Sequence, residues 1–302
     1  MPAASSSRTL IIVLAETRAH ELTFDLFKRN FLDPNDADLA LCVGANPRED
    51  TSNPFYTHAK HVWTYEEPDD WGDAFDHIQQ VEGWSGNWRQ LLQIPDQWLG
   101  GIKHPTYQHP GSGAIQIFFR WYLRRCLIDS GVINHYDRFV VTRSDFMHLI
   151  PHVPLKYLPN DHIWLPDGED WGGYTDRELI ANRRHLLKVL SYMDDMLRDP
   201  DAFYKRLKNR KKWACEHIYW LQLKRARLGH LIRRYPYTMY TVRAKDGATR
   251  WAGGDYDAAL GYAVKYPTEH ACSARCKRLL WPTGRWNRLN LWLYNRLYRR
   301  PD

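Results

Sequence analysis

Residues 136–150 read Tyr-Asp-Arg-Phe-Val-Val-Thr-Arg-Ser-Asp-Phe-Met-His-Leu-Ile, and they contain the strongest fold signal in the chain. The Phe-Val-Val run at 139–141 consists of β-formers and predicts a short buried strand. That strand leads directly into Arg143 and Asp145. Open α/β sheets bind their ligands at the carboxyl ends of the strands. We therefore expect this charge pair at a ligand-binding edge, although an isolated Arg-x-Asp more often closes a strand at the surface.

The residues upstream predict the start of a parallel sheet. Aliphatic runs at 10–14 and 38–44 are typical of strands buried on both faces, and residues 22–31 between them have helical spacing. This β-α-β order favours an α/β fold, and no Gly-x-Gly-x-x-Gly loop indicates a dinucleotide site. Further strands are expected at 61–65, 162–166 and 237–243, and further helices at 88–98, at 113–130 with Ser112 as N-cap, and at 201–233.

Ionisable side chains follow three of the predicted strands. They are Glu16 with Arg18, Arg143 with Asp145, and the acidic group Glu169, Asp170 and Asp176. Because parallel strands end at the same edge of a sheet, we expect these groups to share one cleft. Arginines bind phosphate oxygens and carboxylates hold Mg²⁺ or Mn²⁺, so the mixture suits an anionic substrate, with or without a divalent cation.

Composition limits the class of protein. The chain has 302 residues, which is enough for one large domain or a domain with an appendage. Its net charge of +7 favours anionic partners, and the basic residues concentrate at 205–234 and 277–300. Five scattered cysteines suit a reducing cytoplasm. Since we see no signal peptide and no run of about 20 apolar residues, we expect a cytoplasmic protein that contacts membranes at most peripherally.

Several segments, taken together, carry a family resemblance. They are Thr-Leu-Ile-Ile-Val-Leu-Ala-Glu-Thr-Arg at 9–18, the segments 24–32 and 37–39, Tyr-Asp-Arg-Phe-Val-Val-Thr-Arg-Ser-Asp at 136–145, Gly-Gly-Tyr-Thr-Asp-Arg at 172–177, Trp-Ala-Cys-Glu at 213–216 and Val-Arg at 242–243. In this order they resemble a GT-A-like glycosyltransferase group of bacterial surface-polysaccharide clusters and large DNA viruses. Two positions depart from the group: Ala15 replaces a Gly, and Asp145 is a single carboxylate where many such enzymes have Asp-x-Asp.

The resemblance implies a GT-A-like (Rossmann-like) α/β fold, with a mostly parallel sheet flanked by helices. It places the glycosyltransferase domain at 9–245, between a disordered N-terminus at 1–8 and a C-terminal extension at 246–302. The implied activity is that of a hexosyl- or pentosyltransferase, which moves a sugar from a nucleotide-sugar donor to a hydroxyl of a glycan or lipid-linked glycan in surface polysaccharide synthesis. Two alternatives stay open. One is a nucleic-acid-binding or nucleolytic protein, for which no helix-turn-helix, RRM or zinc pattern is seen, and the other is a degenerate transferase that only binds glycan.

The resemblance also implies how the donor is held. Asp145 would bind a Mn²⁺ or Mg²⁺ ion that bridges the diphosphate, and Arg143 would contact phosphate or orient Asp145. Arg18 would face the nucleotide, unless it only pairs with Glu16 at the surface. Further donor contacts are expected from Glu16, Lys103 and His109, although Lys103 and His109 would equally suit a solvated loop.

An inverting transferase also needs a carboxylate that takes the proton of the acceptor hydroxyl. Asp176 is the leading candidate for this base, and Asp170 is a second candidate. A structural interpretation of Asp176 competes with this one. Thr175 and Glu178 have the spacing of a capping box, which predicts a helix at 176–196, and the dipole of that helix favours an Asp at its start without any function.

The end of the chain predicts a basic amphipathic helix. Between Lys277 and Arg300 there is no acidic residue, and apolar residues recur at helical spacing. The expected apolar face consists of Trp286, Leu289, Leu293 and Leu297. Such a helix can lie on an anionic membrane surface, here on the cytoplasmic side, where a lipid-linked acceptor would be presented. Packing on its own domain or a homodimer contact would explain the same pattern.

Overall fold

The computed structural model describes residues 8–45, 49–210, 213–245, 247, 253–280 and 284–297, so the predicted disordered segment 1–8 lies almost wholly outside the described residues. Two sheets organise the described part of the chain. Their strands are β1 Thr9–Ala15, β2 Asp38–Ala45, β3 Ala59–Glu66, β4 Arg138–Thr142, β5 Phe146–Met147, β6 Ile163–Pro166, β7 Leu179–Asn182, β8 Ile232–Tyr235, β9 Tyr240–Arg243, β10 Asp255–Asp257 and β11 Tyr262–Val264.

The larger sheet has seven strands in the order β3-β2-β1-β4-β7-β6-β8. Every neighbouring pair is parallel except those that involve β7, which runs antiparallel to both β4 and β6. Helices cover both faces. The prediction of an α/β fold with a mostly parallel sheet flanked by helices is confirmed.

Alternate residues of β1 point into two separate cores. Leu10 and Ile12 belong to one core, and Ile11 and Val13 belong to the other. All four side chains are fully buried, as expected of a central strand with an uninterrupted aliphatic run.

The α-helices of the described part of the chain are α1 His20–Phe27, α2 Pro54–His58, α3 Trp71–Glu82, α4 Gly113–Asp129, α5 Arg183–Leu190, α6 Asp194–Arg198, α7 Pro200–Leu207, α8 Cys215–Arg225, α9 Pro267–Leu279 and α10 Arg288–Leu297.

The carboxyl ends of β1 and β4 lie side by side at the centre of the sheet. Val13 is in register with Thr142, so the loops that begin at Ala15 and at Arg143 leave the sheet as neighbours. Ala15 has φ of 77°, a left-handed conformation that a glycine adopts without strain. The alanine at this turn therefore occupies a glycine-like backbone position.

The helix predicted at 176–196 is wrong over its first part. Residues 179–182 form β7, and helix begins only with α5 at Arg183. Glu178 does not cap a helix: its buried carboxylate accepts hydrogen bonds from the hydroxyl groups of Thr142 and Tyr235. Leu179, Ile180 and Ala181 are nearly fully buried between neighbouring strands. Tertiary burial therefore overrides the local capping pattern.

Other expectations were partly wrong. The helix expected at 201–233 is interrupted and ends in a strand, and residues 88–93 form only a 3₁₀ turn. The side chain of Ser112 makes no capping hydrogen bond to α4. The elements that were not predicted include α2, α3, α9, β5, β7, β10 and β11. The acidic segment before α3 provides its N-cap, since the Asp70 carboxylate accepts a hydrogen bond of 2.8 Å from the Gly72 amide.

A second, four-stranded sheet has the order β10-β11-β9-β5. Its strands pair antiparallel, and it brings residues of the predicted C-terminal extension next to the residues that follow β4. Glu269 of α9 links this sheet to neighbouring segments through hydrogen bonds. Its buried carboxylate accepts hydrogen bonds from Arg177 Nε at 3.1 Å, the Tyr237 hydroxyl at 3.0 Å and the Thr241 amide at 2.7 Å.

The predicted C-terminal helix is present as α10, but its apolar face differs from the expected one. Trp286 is buried, and its indole N–H donates to the Pro151 carbonyl at 2.8 Å. Tyr294 is also buried and donates to Asp167 at 3.0 Å. Leu289 and Trp292, by contrast, are 63% and 53% exposed. One side of α10 therefore packs on the domain while another side leaves large apolar groups in solvent.

Candidate active site

A cavity of about 600 Å³ opens at the carboxyl edge of the larger sheet. Its walls come from the ends of β1 and β4, the loop before β7, the start of α8 and the second sheet. Five of the predicted site residues line it: Glu16, Arg18, Arg143, Asp145 and Asp176. The expected convergence of charged groups at one sheet edge is present in the structure, and the cavity has the size of ordinary small-molecule sites.

Asp145 lies at the centre of an arginine cluster. Its carboxylate accepts two hydrogen bonds from Arg143, at 2.9 Å from Nε and 2.8 Å from Nη2. Arg243 donates to the same carboxylate through its Nη1. Burial alone would raise the pKa of Asp145, but the two guanidinium groups outweigh burial and hold this pKa well below its usual range.

This donor set does not fit a divalent cation. Both carboxylate oxygens of Asp145 already accept hydrogen bonds from arginines, which would repel a metal ion at the same place. Within the residues that the structure describes, no three or more His, Cys, Asp or Glu side chains are grouped so that they could hold a metal. Metal binding by Asp145 stays a prediction that its surroundings do not support.

Arg243 has hydrogen-bonding capacity that the described protein does not use. It is 2% exposed and lines the cavity. Its Nη1 donates to Asp145 and to the Val242 carbonyl, but its Nε and Nη2 are buried and find no partner among the described residues. Buried guanidinium groups are normally satisfied, because each unmade bond costs free energy. These two donors therefore mark a place where a ligand with acceptor oxygens would be stabilised.

Asp176 lies in the loop before β7 and not at a helix start, so the helix dipole does not explain it. Its side chain is 4% exposed and lies 3.5 Å from Arg177 Nη1. Arg120 donates to its backbone carbonyl at 3.1 Å. Burial would raise the pKa of Asp176, but Arg177, Arg120 and Arg143 together lower it. Asp176 therefore stays ionised.

Glu216, in the first turn of α8, is a second carboxylate in this cavity. Burial, and then the negative charge of Asp176, raises the pKa of Glu216 to about 8. The loop that carries Asp176 and the start of α8 are held close together, since the Tyr174 amide donates to the Glu216 carbonyl at 3.1 Å. Gly173 allows this approach: a Cβ there would lie 2.1 Å from the same carbonyl oxygen. The glycine pair at 172–173 thus allows the loop before β7 to pack closely against the start of α8.

Three predicted site residues lie away from the cavity. Asp170 holds its own loop, because its carboxylate accepts from the Thr175 amide at 2.9 Å and pairs with Arg234 at 3.0 Å. Lys103 and His109 line a separate pocket. The ring nitrogens of His109 lie at hydrogen-bond distance from two backbone carbonyls, which explains its burial without a ligand. Glu16 and Arg18 do line the main cavity and form an ion pair there.

Sequence patterns alone give no catalytic or donor-binding role to Arg243, Lys265 or Glu216. Burial, and then the positive charges of Arg143 and Arg243, lowers the pKa of Lys265 to about 7. Arg243 is the last residue of a recognisable β-strand pattern, and Arg143 directly follows one. This similar position at a strand end could have identified Arg243. Lys265 follows a three-residue strand, β11, that has no clear signal of its own.

Comparison of the sequence with family models and with curated proteins finds no match. The geometry and charges of the site are therefore the basis for its proposed chemistry.

Proposed function

We propose that this protein is a glycosyltransferase with a GT-A-like fold, which moves a sugar from a nucleoside-diphosphate sugar to a hydroxyl of a glycan or glycolipid. One observation carries the proposal: the cavity is lined by Arg243, which has two buried donors without partners among the described residues, and by two carboxylates whose pKa values are shifted in opposite directions. Glycosyl transfer needs both parts, because it requires stabilisation of a leaving phosphate and removal of a proton from the acceptor. The order of the seven strands and the site at their carboxyl edge are compatible with this fold.

The arginines would stabilise the leaving group. When the bond between the anomeric carbon and the phosphate oxygen breaks, its electron pair leaves with the diphosphate, and negative charge grows on that oxygen. Arg143 and Arg243 are already fixed by Asp145, so they would meet this charge without reorganising. Arg18 and Glu16, near the end of β1, lie where the nucleotide part would extend.

Glu216 would take the proton of the acceptor hydroxyl while the acceptor oxygen forms the new bond to the anomeric carbon. A proton acceptor works best when its pKa lies near the working pH, and this holds for Glu216 but not for Asp176. Asp176 would act on Glu216 by keeping its pKa high and would stay ionised itself. The sequence-based choice of Asp176 as the base thus becomes a proposal for a pair in which Glu216 takes the proton.

We expect a screen of UDP-, GDP-, dTDP- and CMP-sugars to give one donor that raises the melting temperature and is consumed when a glycan acceptor is added. Arg29→Ala, which removes an exposed arginine outside the cavity, serves as the control and should leave both results unchanged. A donor that binds but is never consumed would favour the degenerate, glycan-binding alternative. If no nucleotide sugar binds at all, the proposal is wrong.

We further propose that the acceptor is presented at an anionic membrane surface, in the cytoplasm, and that α10 docks there. Leu289 and Trp292 are exposed on one side of α10, with Arg296 one turn further along the same side. The preceding helix α9 adds exposed Lys277 and Arg278, and the sequence has no acidic residue between Lys277 and Arg300. In the described part of the chain, no helix combines the length and apolar character that crossing a bilayer requires. The apolar groups together with the cations suit shallow binding to an acidic lipid surface.

The chain is expected to cosediment with anionic liposomes at low salt and not with neutral ones, because each basic residue near such a surface contributes about 1 kcal/mol. The double variant Leu289→Ser, Trp292→Ser should weaken this binding roughly tenfold or more, since it removes the inserted apolar area. Val81→Ser, at an exposed apolar position on α3, is the matched control. If the intact chain instead forms a dimer that the double variant dissolves, and ignores the liposomes, α10 is a dimer contact.

A further inference from the structure

The positively charged end of the cavity is built by the backbone of the second sheet. Asp145 precedes β5, and its carbonyl accepts from the Val242 amide at 2.9 Å. Arg243 ends β9 and lies in register with Ala263 of β11. Lys265 follows β11, and its amide donates to the Thr241 carbonyl at 3.0 Å. Ladder hydrogen bonds therefore hold Arg243, Lys265 and the Asp145 loop in one rigid arrangement.

The charges in this arrangement do not balance. Arg177 is matched by Asp176 and Glu269, and Arg18 is matched by Glu16. Arg143 and Arg243, however, share the single carboxylate of Asp145. Lys265 lines the same cavity, and its pKa is lowered first by burial and then by repulsion from the positive charges of Arg143 and Arg243. An anion that enters here would relieve that repulsion.

We propose that Arg143, Arg243 and Lys265 form a binding site for the diphosphate of the substrate, and that they do so without a metal ion. This inference deepens the proposed function and rests on it for the identity of the ligand. Arginine guanidinium groups grip phosphate oxygens in pairs, and Arg243 has two buried donors that the described residues leave unused. In this site, cations fixed by the sheet take the place that a bridging divalent cation holds in metal-dependent transfer.

The site predicts that inorganic pyrophosphate and nucleoside diphosphates bind in the presence of excess EDTA. Lys265→Ala and Arg243→Lys should each weaken binding roughly 10-fold or more, because each removes charge-assisted hydrogen bonds to the ligand. Arg243→Lys keeps the charge beside Asp145 and so limits the risk of unfolding, which circular dichroism would check for both variants. Lys60→Ala removes a lysine outside the cavity and should leave the affinity unchanged. Isothermal titration calorimetry measures all of these affinities.

The results separate this inference from the proposed function. If pyrophosphate binds in EDTA and depends on Lys265 and Arg243, but no nucleotide sugar is consumed, the anion site stands and glycosyl transfer does not. If a nucleotide sugar is consumed only with Mn²⁺ or Mg²⁺, and neither variant weakens diphosphate binding, transfer stands and the metal-free site is overturned. Binding in EDTA that is unchanged in both folded variants would also overturn it.

Discussion

Replacing Glu216 by Gln is expected to slow sugar transfer by roughly 10²–10⁴-fold while leaving diphosphate affinity unchanged, because a general base acts on the acceptor and not on the donor. Gln has the shape of the neutral Glu216 side chain, which is the form that predominates in the folded protein below pH 8. The loss should therefore be catalytic and not a loss of structure. Initial rates with a saturating donor measure the effect, and Glu21→Gln, at an exposed glutamate of α1, is the control.

The assignment of Glu216 as the general base also predicts the direction in which the transfer rate changes with pH. Glu216 accepts a proton only when it is ionised, so the rate should rise with pH and level off above about 8. Asp176→Asn removes the negative charge that contributes to this high pKa, and the plateau should then be reached at lower pH. A merely structural Asp176 would not produce such a shift. A pH profile that is identical in Asp176→Asn, or full activity of Glu216→Gln, would sink the assignment of the pair.

Asp145→Asn is expected to lower the free energy of unfolding by about 3–5 kcal/mol, because removing one member of a buried ion pair leaves uncompensated charge. Here two guanidinium groups, those of Arg143 and Arg243, would lose their common carboxylate. The metal-binding role that the family resemblance implies for Asp145 predicts a different result, namely lost turnover with little loss of stability. Urea denaturation at pH 7 measures the change, and an effect below about 1 kcal/mol would contradict the buried arrangement.

Asp33→Asn is the matched control for this experiment. Asp33 pairs with Lys28 at the surface, and its side chain is 55% exposed. Exposed ion pairs contribute about 0–1 kcal/mol, so the control should change stability little.

The folded-state pKa of Asp145 is depressed, so the contribution of this carboxylate to stability is fully present at pH 7. That contribution is lost only as the pH falls from the unfolded value near 4 through the folded pKa.

Local sequence was sufficient for the centre of the fold. The aliphatic runs that became β1 and β2, and the Phe-Val-Val run of β4, are short and rich in β-formers, and such runs are typical of strands covered on both faces. The position of Arg143 and Asp145 directly after β4 followed from the same pattern. Parallel strands then bring Glu16 and Arg18 to the same edge, which is a rule of topology and needs no side-chain contacts.

The hydrogen-bond partners and the pKa values of the charged groups were decided only by the tertiary structure. Thr175 and Glu178 match a capping box, but long-range hydrogen bonds from Thr142 and Tyr235 to Glu178 favour the strand β7 instead. Arg243 meets Asp145 across 98 residues of chain, and Glu216 owes part of its high pKa to Asp176. Coulomb interactions and desolvation depend on distance and burial in space, and spacing along the chain does not encode either quantity. For this reason the sequence could place the candidate site at a sheet edge, while the roles proposed for Glu216, Arg243 and Lys265 depend on the folded chain.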